Sequence, residues 1–359
     1  MSLHTPICDL FGVQYPIVQT GMGWVAGARL TAATSAAGGL GILAAATMSY
    51  EHLEAQIREV KERTDKPFGV NMRADQPDVD KRVDLIIREG VKVASFARAP
   101  GPESIQKFKD AGVITMPTIG AVRHAEKVAE WGVDAIIAQG GEGGGHTGSI
   151  PTSLLLPAVC EAVDIPVLGA GGFSDGRGLV AALAYGAAGI AMGTRFLLTQ
   201  ESTVPDAVKQ TYLGTRVNGT VVTTAVDGYP QRVIRTALID RLERAGFMGR
   251  MLSALRHAWA LSDVTGSSMT DLMREGAAMK KGGRLTWPQV AMAANAPMLT
   301  RASMVDGQTE AGILPTGQVV GRIEELPTVA ELIERIIAEA DETLARLSAE
   351  PSVTLADTA

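Results

Sequence analysis

The chain has 359 residues, a net charge of −6 and only 4% aromatic residues. That balance excludes a protein held to nucleic acid by phosphate contacts or aromatic platforms, and the length suits one large α/β barrel with an insertion. Hydrophobic residues at 46% allow a large core, and 40 glycines without a collagen repeat point to tight turns and close backbone approaches.

The start, Met1-Ser2-Leu3-His4-Thr5-Pro6, has no basic region followed by an apolar stretch, so no signal peptide is expected. Short β-branched runs then alternate with helical stretches through the first two-thirds, the mark of βα units and a parallel sheet. Strands are predicted at residues 16–20, 41–45, 68–71, 93–96, 114–118, 135–139, 166–170 and 189–192. Between them the spacing predicts amphipathic helices over 51–63, 79–88, 123–130 and 154–163. The first turns Leu53, Ile57 and Val60 inward, and the second Val83, Ile86 and Ile87. Gly90, Gly112, Gly132 and Gly186 each follow a helical pattern, where a left-handed residue ends the last turn. Eight units are the count of a closed (β/α)₈ TIM barrel. An open doubly wound sheet is the alternative, and both place the site at the C-terminal strand ends.

The most apolar stretch, residues 179–192, is broken by glycines and too short to span a membrane. Cys8 and Cys160 form no CxxC and no metal spacing, so they read as small packing residues in a reducing cytoplasm. Beyond Arg195 the βα rhythm stops. Residues 203–311 are expected to form a mostly helical inserted domain, with 1–202 and 312–347 making the barrel and 348–359 a flexible tail. Eight of the 14 methionines lie between Met248 and Met304, an ordinary core or a lid over a bulky apolar ligand. Residues 328–347 form an amphipathic helix, begun by Pro327-Thr328, that returns to the barrel as its last.

Five features follow predicted strands. Gly21-Met22-Gly23 presents bare backbone to a planar ligand, although a plain turn would use the same residues. Asn71 closes an apolar strand as a cap or a ligand contact. The run Gln139-Gly140-Gly141-Glu142-Gly143-Gly144-Gly145-His146-Thr147-Gly148 holds six glycines in ten residues and reads as a loop. It lacks the Gly-Lys-Ser/Thr of a triphosphate loop. His146 has little packing reason to sit there, and an imidazole exchanges protons near neutral pH. Gly169-Ala170-Gly171-Gly172-Phe173-Ser174-Asp175-Gly176 and Met192-Gly193-Thr194-Arg195 follow strands seven and eight. Barrels often bind phosphate there, through amides and a helix N-terminus. Arg195 reads either as an anion contact or as a buried ion-pair partner. His4, His52, His124 and His257 have no partners at metal spacing.

In this order, GMG, GVN, QGGEGGGHTG, GAGGFSDGRG and MGTRFL make the chain resemble the nitronate monooxygenase (2-nitropropane dioxygenase) superfamily, which includes the FMN-dependent enoyl-ACP reductases. The likeness runs to about Ser202 and resumes near Gly317-Gln318. It implies a barrel with FMN at the C-terminal face and a second domain over the flavin. Gly21, Met22 and Gly23 would line the ring system, and Asn71 and Gln139 would hydrogen-bond to it. Gly145 and Ala170 belong to the same cofactor-binding set. Gly171, Gly172, Gly193 and Thr194 would hold the phosphate, and His146 matches the catalytic histidine. Two positions depart from the nitronate pattern: Thr118 where many members carry lysine, and Gln139 where many carry an acid. Both change the charge around the flavin and argue against nitronate oxidation.

The segments IVQTGMGWVAGARL, Asn218-Gly219-Thr220-Val221-Val222-Thr223-Thr224 and Asn295-Ala296-Pro297-Met298-Leu299 are similar to flavin dehydrogenases of actinobacterial steroid catabolism. That group implies α,β-dehydrogenation of a bicyclic acyl-CoA, with NAD as the electron acceptor. Nitronate oxidation by O₂, and a non-flavin barrel binding a phosphorylated ligand, are the alternatives. The expected partner is a small-molecule CoA ester, with no nucleic acid and no membrane, and a homodimer is left open. Lys280, Lys281 and Arg284 are weighed as a CoA-phosphate cluster against a solvated helix end.

Overall fold

A parallel sheet of apolar strands has two faces to bury, and a closed barrel buries one of them in its own interior. In the computed structural model, which describes residues 3–74, 76, 78–244 and 295–349, eight parallel strands close in this way. They begin with β1 (Ile17–Gln19), β2 (Leu40–Ala44), β3 (Phe68–Arg73), β4 (Val93–Arg98), β5 (Ile114–Ile119) and β6 (Ile136–Gln139). After a short β7 (Gly145–His146) outside the barrel come β8 (Val167–Ala170) and β9 (Gly189–Met192). The ring closes where Ile17, Val18 and Gln19 pair with Ile190, Ala191 and Met192. All eight strands lie where the alternation predicts, and closure rules out the open sheet.

Helix α1 (Pro6–Phe11) plugs the N-terminal end. Its Ile7, Cys8 and Phe11 pack with Val18, Ile42, Val93, Met116, Ile137 and Leu168 in the barrel interior. The outer layer holds α2 (Ala28–Ala36), α3 (Tyr50–Arg63), α4 (Val79–Arg88), α5 (Pro102–Asp110), α6 (Val122–Glu130), α7 (Thr152–Ala162) and α8 (Gly176–Ala184). Leu53, Ile57 and Val60 of α3 are fully buried. In α4 the buried face is Val83, Leu85 and Ile86, with Ile87 half-buried, a slight rotation from the predicted face. Gly90, Gly112, Gly132 and Gly186 all have left-handed φ, between +61° and +91°. Both cysteines are free thiols, and burial pushes Cys160 up to about 11.

After β9 come α9 (Thr194–Leu197), α10 (Asp206–Leu213), β10 (Thr220–Thr223), β11 (Gln231–Ile234), α11 (Ala237–Arg244) and α12 (Asn295–Met304). The sequence predicts helices here, and the structure places a β-hairpin among them. Its signal was the β-branched run Thr220-Val221-Val222-Thr223 followed by the turn residues Asp227-Gly228-Tyr229-Pro230. Strand β11 also pairs antiparallel with β7, giving a three-stranded sheet β10-β11-β7. The methionines from Met248 to Met292 and the cluster Lys280, Lys281 and Arg284 lie outside the described residues.

The last helix, α13 (Val329–Ser348), starts with a capping box. Thr328 Oγ1 accepts from Glu331 N at 3.2 Å, and Glu331 Oε2 accepts from Thr328 N at 2.8 Å. Its Val329, Leu332, Ile333 and Ile336 are buried against the barrel's outer layer. Among the described residues, no helix is long and apolar enough to cross a membrane, and no group of His, Cys, Asp and Glu could hold a metal ion.

Helix α13 meets α8 at Gly176, where an added Cβ would lie 2.3 Å from both Ala340 N and Ile336 O. Gly176→Ala is therefore expected to cost about 1–3 kcal/mol of stability. Urea unfolding should show a lower midpoint at an unchanged slope.

Candidate active site

The loops after β1, β3, β6, β8 and β9 meet at the C-terminal rim. Gly21 and Asn71 touch there: a Cβ on Gly21 would lie 2.3 Å from Asn71 Cβ. Gly21 is thus required by the approach of Asn71, a reason the sequence did not show. Asn71 is buried and its Nδ2 donates to Ser95 Oγ at 3.3 Å. Gly23 is bare for the approach of Thr47, whose hydroxyl accepts the Trp24 N–H at 3.2 Å. Trp24 has a φ of +65°, the one positive value on a non-glycine among the described residues. Such strain collects at functional sites. The Trp24 indole donates Nε1–H to Pro297 O at 3.1 Å, and the Arg301 guanidinium lies 5.9 Å from its ring centroid. The sequence reading did not single out Trp24, because backbone strain has no residue-level signature.

Met22 lies beside the β9 end, with its Sδ 3.3 Å from where a Gly193 Cβ would stand. Gln139, at the end of β6, donates Nε2–H to the His146 carbonyl at 2.9 Å. The glycine-rich run was expected to be loop throughout, and the structure corrects this at Gly145 and His146. Those two residues form β7 because Gln231 and Arg232 of β11 arrive from far along the chain to pair with them. Gly145 has a φ of +65°, a conformation that suits glycine. Arg232 also donates from Nη2 to Gly141 O at 2.9 Å, which pins the loop from the side. Burial lowers the Arg232 pKa, with Glu142 acting in the opposite sense.

The His146 side chain is 60% exposed, and its Nε2 lies 2.7 Å from Asp227 Oδ2, in a side chain only 5% exposed. The Tyr229 ring stands T-shaped to the imidazole, with centroids 6.0 Å apart. The sequence reading missed Asp227. It sits in the hairpin turn, and no spacing ties it to His146.

At the ends of β8 and β9, Gly171 and Gly172 have φ of +94° and +86°. Among the described residues, no acceptor takes the N–H of Gly171, Gly172, Gly193 or Thr194. Ala170 is already engaged, its carbonyl accepting Gly140 N–H at 3.0 Å. Thr194 Oγ1 accepts the Gly317 N–H at 3.0 Å, which leaves the hydroxyl proton free to donate. Unpaired amides and a hydroxyl donor fit a phosphate group. The N-terminus of α8 does not share this role. Its Gly178 N–H is capped by Asp175 Oδ1 at 3.0 Å, and its Gly176 N–H goes to Glu339 Oε2 at 2.9 Å. Arg195 makes no ion pair among the described residues: its Nη2 donates to the carbonyls of Leu198 and Glu325 at 2.7 and 3.1 Å, and its Nε is buried without a partner. Burial, with repulsion from Arg335, pulls it down to about 10, so it remains charged at neutral pH.

A family model described as nitronate monooxygenase matches residues 4–82 and 78–339. The chain is 58% identical over 348 residues to a protein of Rhodococcus jostii, covering 97% of this chain and 99% of that one. That relative is named (3aS,4S,5R,7aS)-5-hydroxy-7a-methyl-1-oxo-octahydro-1H-indene-4-carboxyl-CoA dehydrogenase. A Mycobacterium tuberculosis protein of the same name is 58% identical over 343 residues, 95% of this chain and 97% of its own. Among solved structures, FabK from Thermotoga maritima has a TM-score of 0.77 at 34% identity, covering 96% of this chain and 98% of its own.

Thr194→Val removes the free hydroxyl proton and the acceptor for Gly317 N–H. It is expected to weaken binding of a phosphate-bearing flavin about tenfold, the loss of one or two hydrogen bonds. Equilibrium dialysis reads this, and riboflavin, which lacks the phosphate, should bind both proteins alike.

Proposed function

Because the chain belongs to the nitronate monooxygenase family, we propose that it is an FMN-dependent oxidoreductase that places an α,β double bond in a bicyclic acyl-CoA. The substrate is of the 5-hydroxy-7a-methyl-1-oxo-octahydroindene-4-carboxyl-CoA type named in its relatives. One observation carries the choice of substrate class: 58% identity over 97% of this chain and 99% of the Rhodococcus protein. A probable nitronate monooxygenase of Staphylococcus saprophyticus reaches 32% over 67% of the chain. Thr118 and Gln139, both uncharged, further favour the CoA ester.

The amides of Gly171, Gly172, Gly193 and Thr194, with the Thr194 hydroxyl, would hold the FMN phosphate. Gly21, Met22, Gly23, Asn71 and Gln139 would bound the ring system. When bound, FMN supplies the acceptor for a hydride from the substrate β-carbon. His146 takes the proton α to the thioester carbonyl, which the carbonyl acidifies. Its imidazole has the open side this needs, and Gln139 holds its main chain at the rim. NAD⁺ is the proposed final electron acceptor. Residues 203–311 would cover the substrate, a reading supported by the Trp24 bond to Pro297.

Anaerobic addition of the CoA ester is expected to bleach the flavin absorbance. His146→Ala should keep FMN and lose about 10²- to 10⁴-fold in turnover. Rapid oxygen uptake with propionate 3-nitronate, without bleaching by the ester, would replace this reading with the nitronate one.

A further inference from the structure

An imidazole has two nitrogens, and the surroundings of His146 distinguish them. Nε2 lies 2.7 Å from Asp227 Oδ2. The other carboxylate oxygen, Oδ1, accepts the Tyr229 N–H at 3.1 Å, so an Asx turn within the hairpin fixes the carboxylate's direction. An ionised carboxylate only accepts hydrogen bonds, so the proton shared with Nε2 resides on the nitrogen. Nδ1 has no partner among the described residues, and the side chain is 60% exposed. The ring is held besides by the T-shaped Tyr229 contact, and its main chain by Gln231 across the sheet and by Gln139.

We propose that Asp227 is a positioning residue that fixes His146 as the Nε2–H tautomer and leaves Nδ1 as the atom that receives the substrate proton. This rests on the proton-transfer role given to His146 above. In that step the C–H bond α to the thioester carbonyl breaks. Its proton moves to Nδ1, and the electron pair stays on the α-carbon, delocalised into the carbonyl. The resulting imidazolium carries a proton on each nitrogen, and its Nε2–H faces a carboxylate that offsets the new charge. Asp227 is buried and touches neither substrate nor cofactor in this scheme; it acts through the ring.

Asp227→Asn provides the test. If its Oδ1 keeps the Tyr229 N–H, its amide nitrogen faces Nε2 and donates to it, driving the ring proton to Nδ1. The expected result is a kcat lower by about 10²- to 10⁴-fold with KM little changed. In the FMN-loaded enzyme without substrate, ¹⁵N NMR of labelled histidine should show His146 protonated at Nε2 in the native protein and at Nδ1 in Asp227→Asn. Asp227→Glu, which keeps a carboxylate, should retain the Nε2–H signal and recover part of the rate. A native Nδ1–H signal overturns the proposal, as does an Asp227→Asn enzyme with native kcat and an unchanged tautomer. If Asp227→Asn fails to fold or to bind FMN, the native spectrum decides alone. The NMR needs no substrate. A CoA ester that fails to bleach the flavin would therefore sink the substrate assignment and leave the tautomer standing, and the reverse holds equally.

Discussion

The glycine-rich segment between β6 and β7 runs so close to its neighbours that side chains have no room. A Cβ on Gly140 would lie 2.1 Å from Thr152 Oγ1, one on Gly144 2.5 Å from the Thr316 carbonyl carbon, and one on Gly171 3.0 Å from Gly143 N. These close approaches draw the ends of β6 and β8 and the return segment at Thr316-Gly317 into one rim. They also deliver β7 to the edge of β11, and with it His146 to Asp227. A bulky residue at any of these glycines would push apart groups that must act within a few ångströms of one another.

Cations behind the rim are held by the main chain. Arg195 and Arg232 spend guanidinium hydrogens on main-chain carbonyls, and Lys209 Nζ does the same with Thr199 O and Ser202 O at 2.9 and 2.8 Å. Carboxylates occupy the N-terminus of α8. The donors left open after β8 and β9 are neutral, the amides there and one threonine hydroxyl. Such donors are oriented by the backbone and need no reorganisation when a ligand arrives. A chain with a net charge of −6 can hold a phosphate in this way because the field is local.

The hairpin β10–β11 connects the catalytic proposal to the segment outside the barrel. It supplies Asp227, Tyr229 and the pairing partners of β7, while Val233 forms an antiparallel bridge to Pro315 as the chain returns. Tyr212 of α10 adds a hydrogen bond from its hydroxyl to Pro315 O at 2.9 Å. The hairpin therefore contributes residues to the histidine's immediate surroundings.

The sequence determined the eight strands, four of the helices between them, their left-handed glycine ends and the final helix, because each rests on local periodicity and local backbone preference. It also located the rim loops, since a parallel barrel presents them after successive strands, and it marked His146 through its glycine-rich context. Only the tertiary structure decided that Gly145 and His146 form a strand, that Gly21 is bare on account of Asn71, that Arg195 binds carbonyls, and that α8 caps itself with carboxylates. Each of these depends on groups distant in sequence meeting in space, and the His146–Asp227 pair is the clearest case. Nothing in the spacing of those two residues predicts contact, because barrel closure and a three-stranded sheet must both form before one carboxylate can reach one imidazole nitrogen.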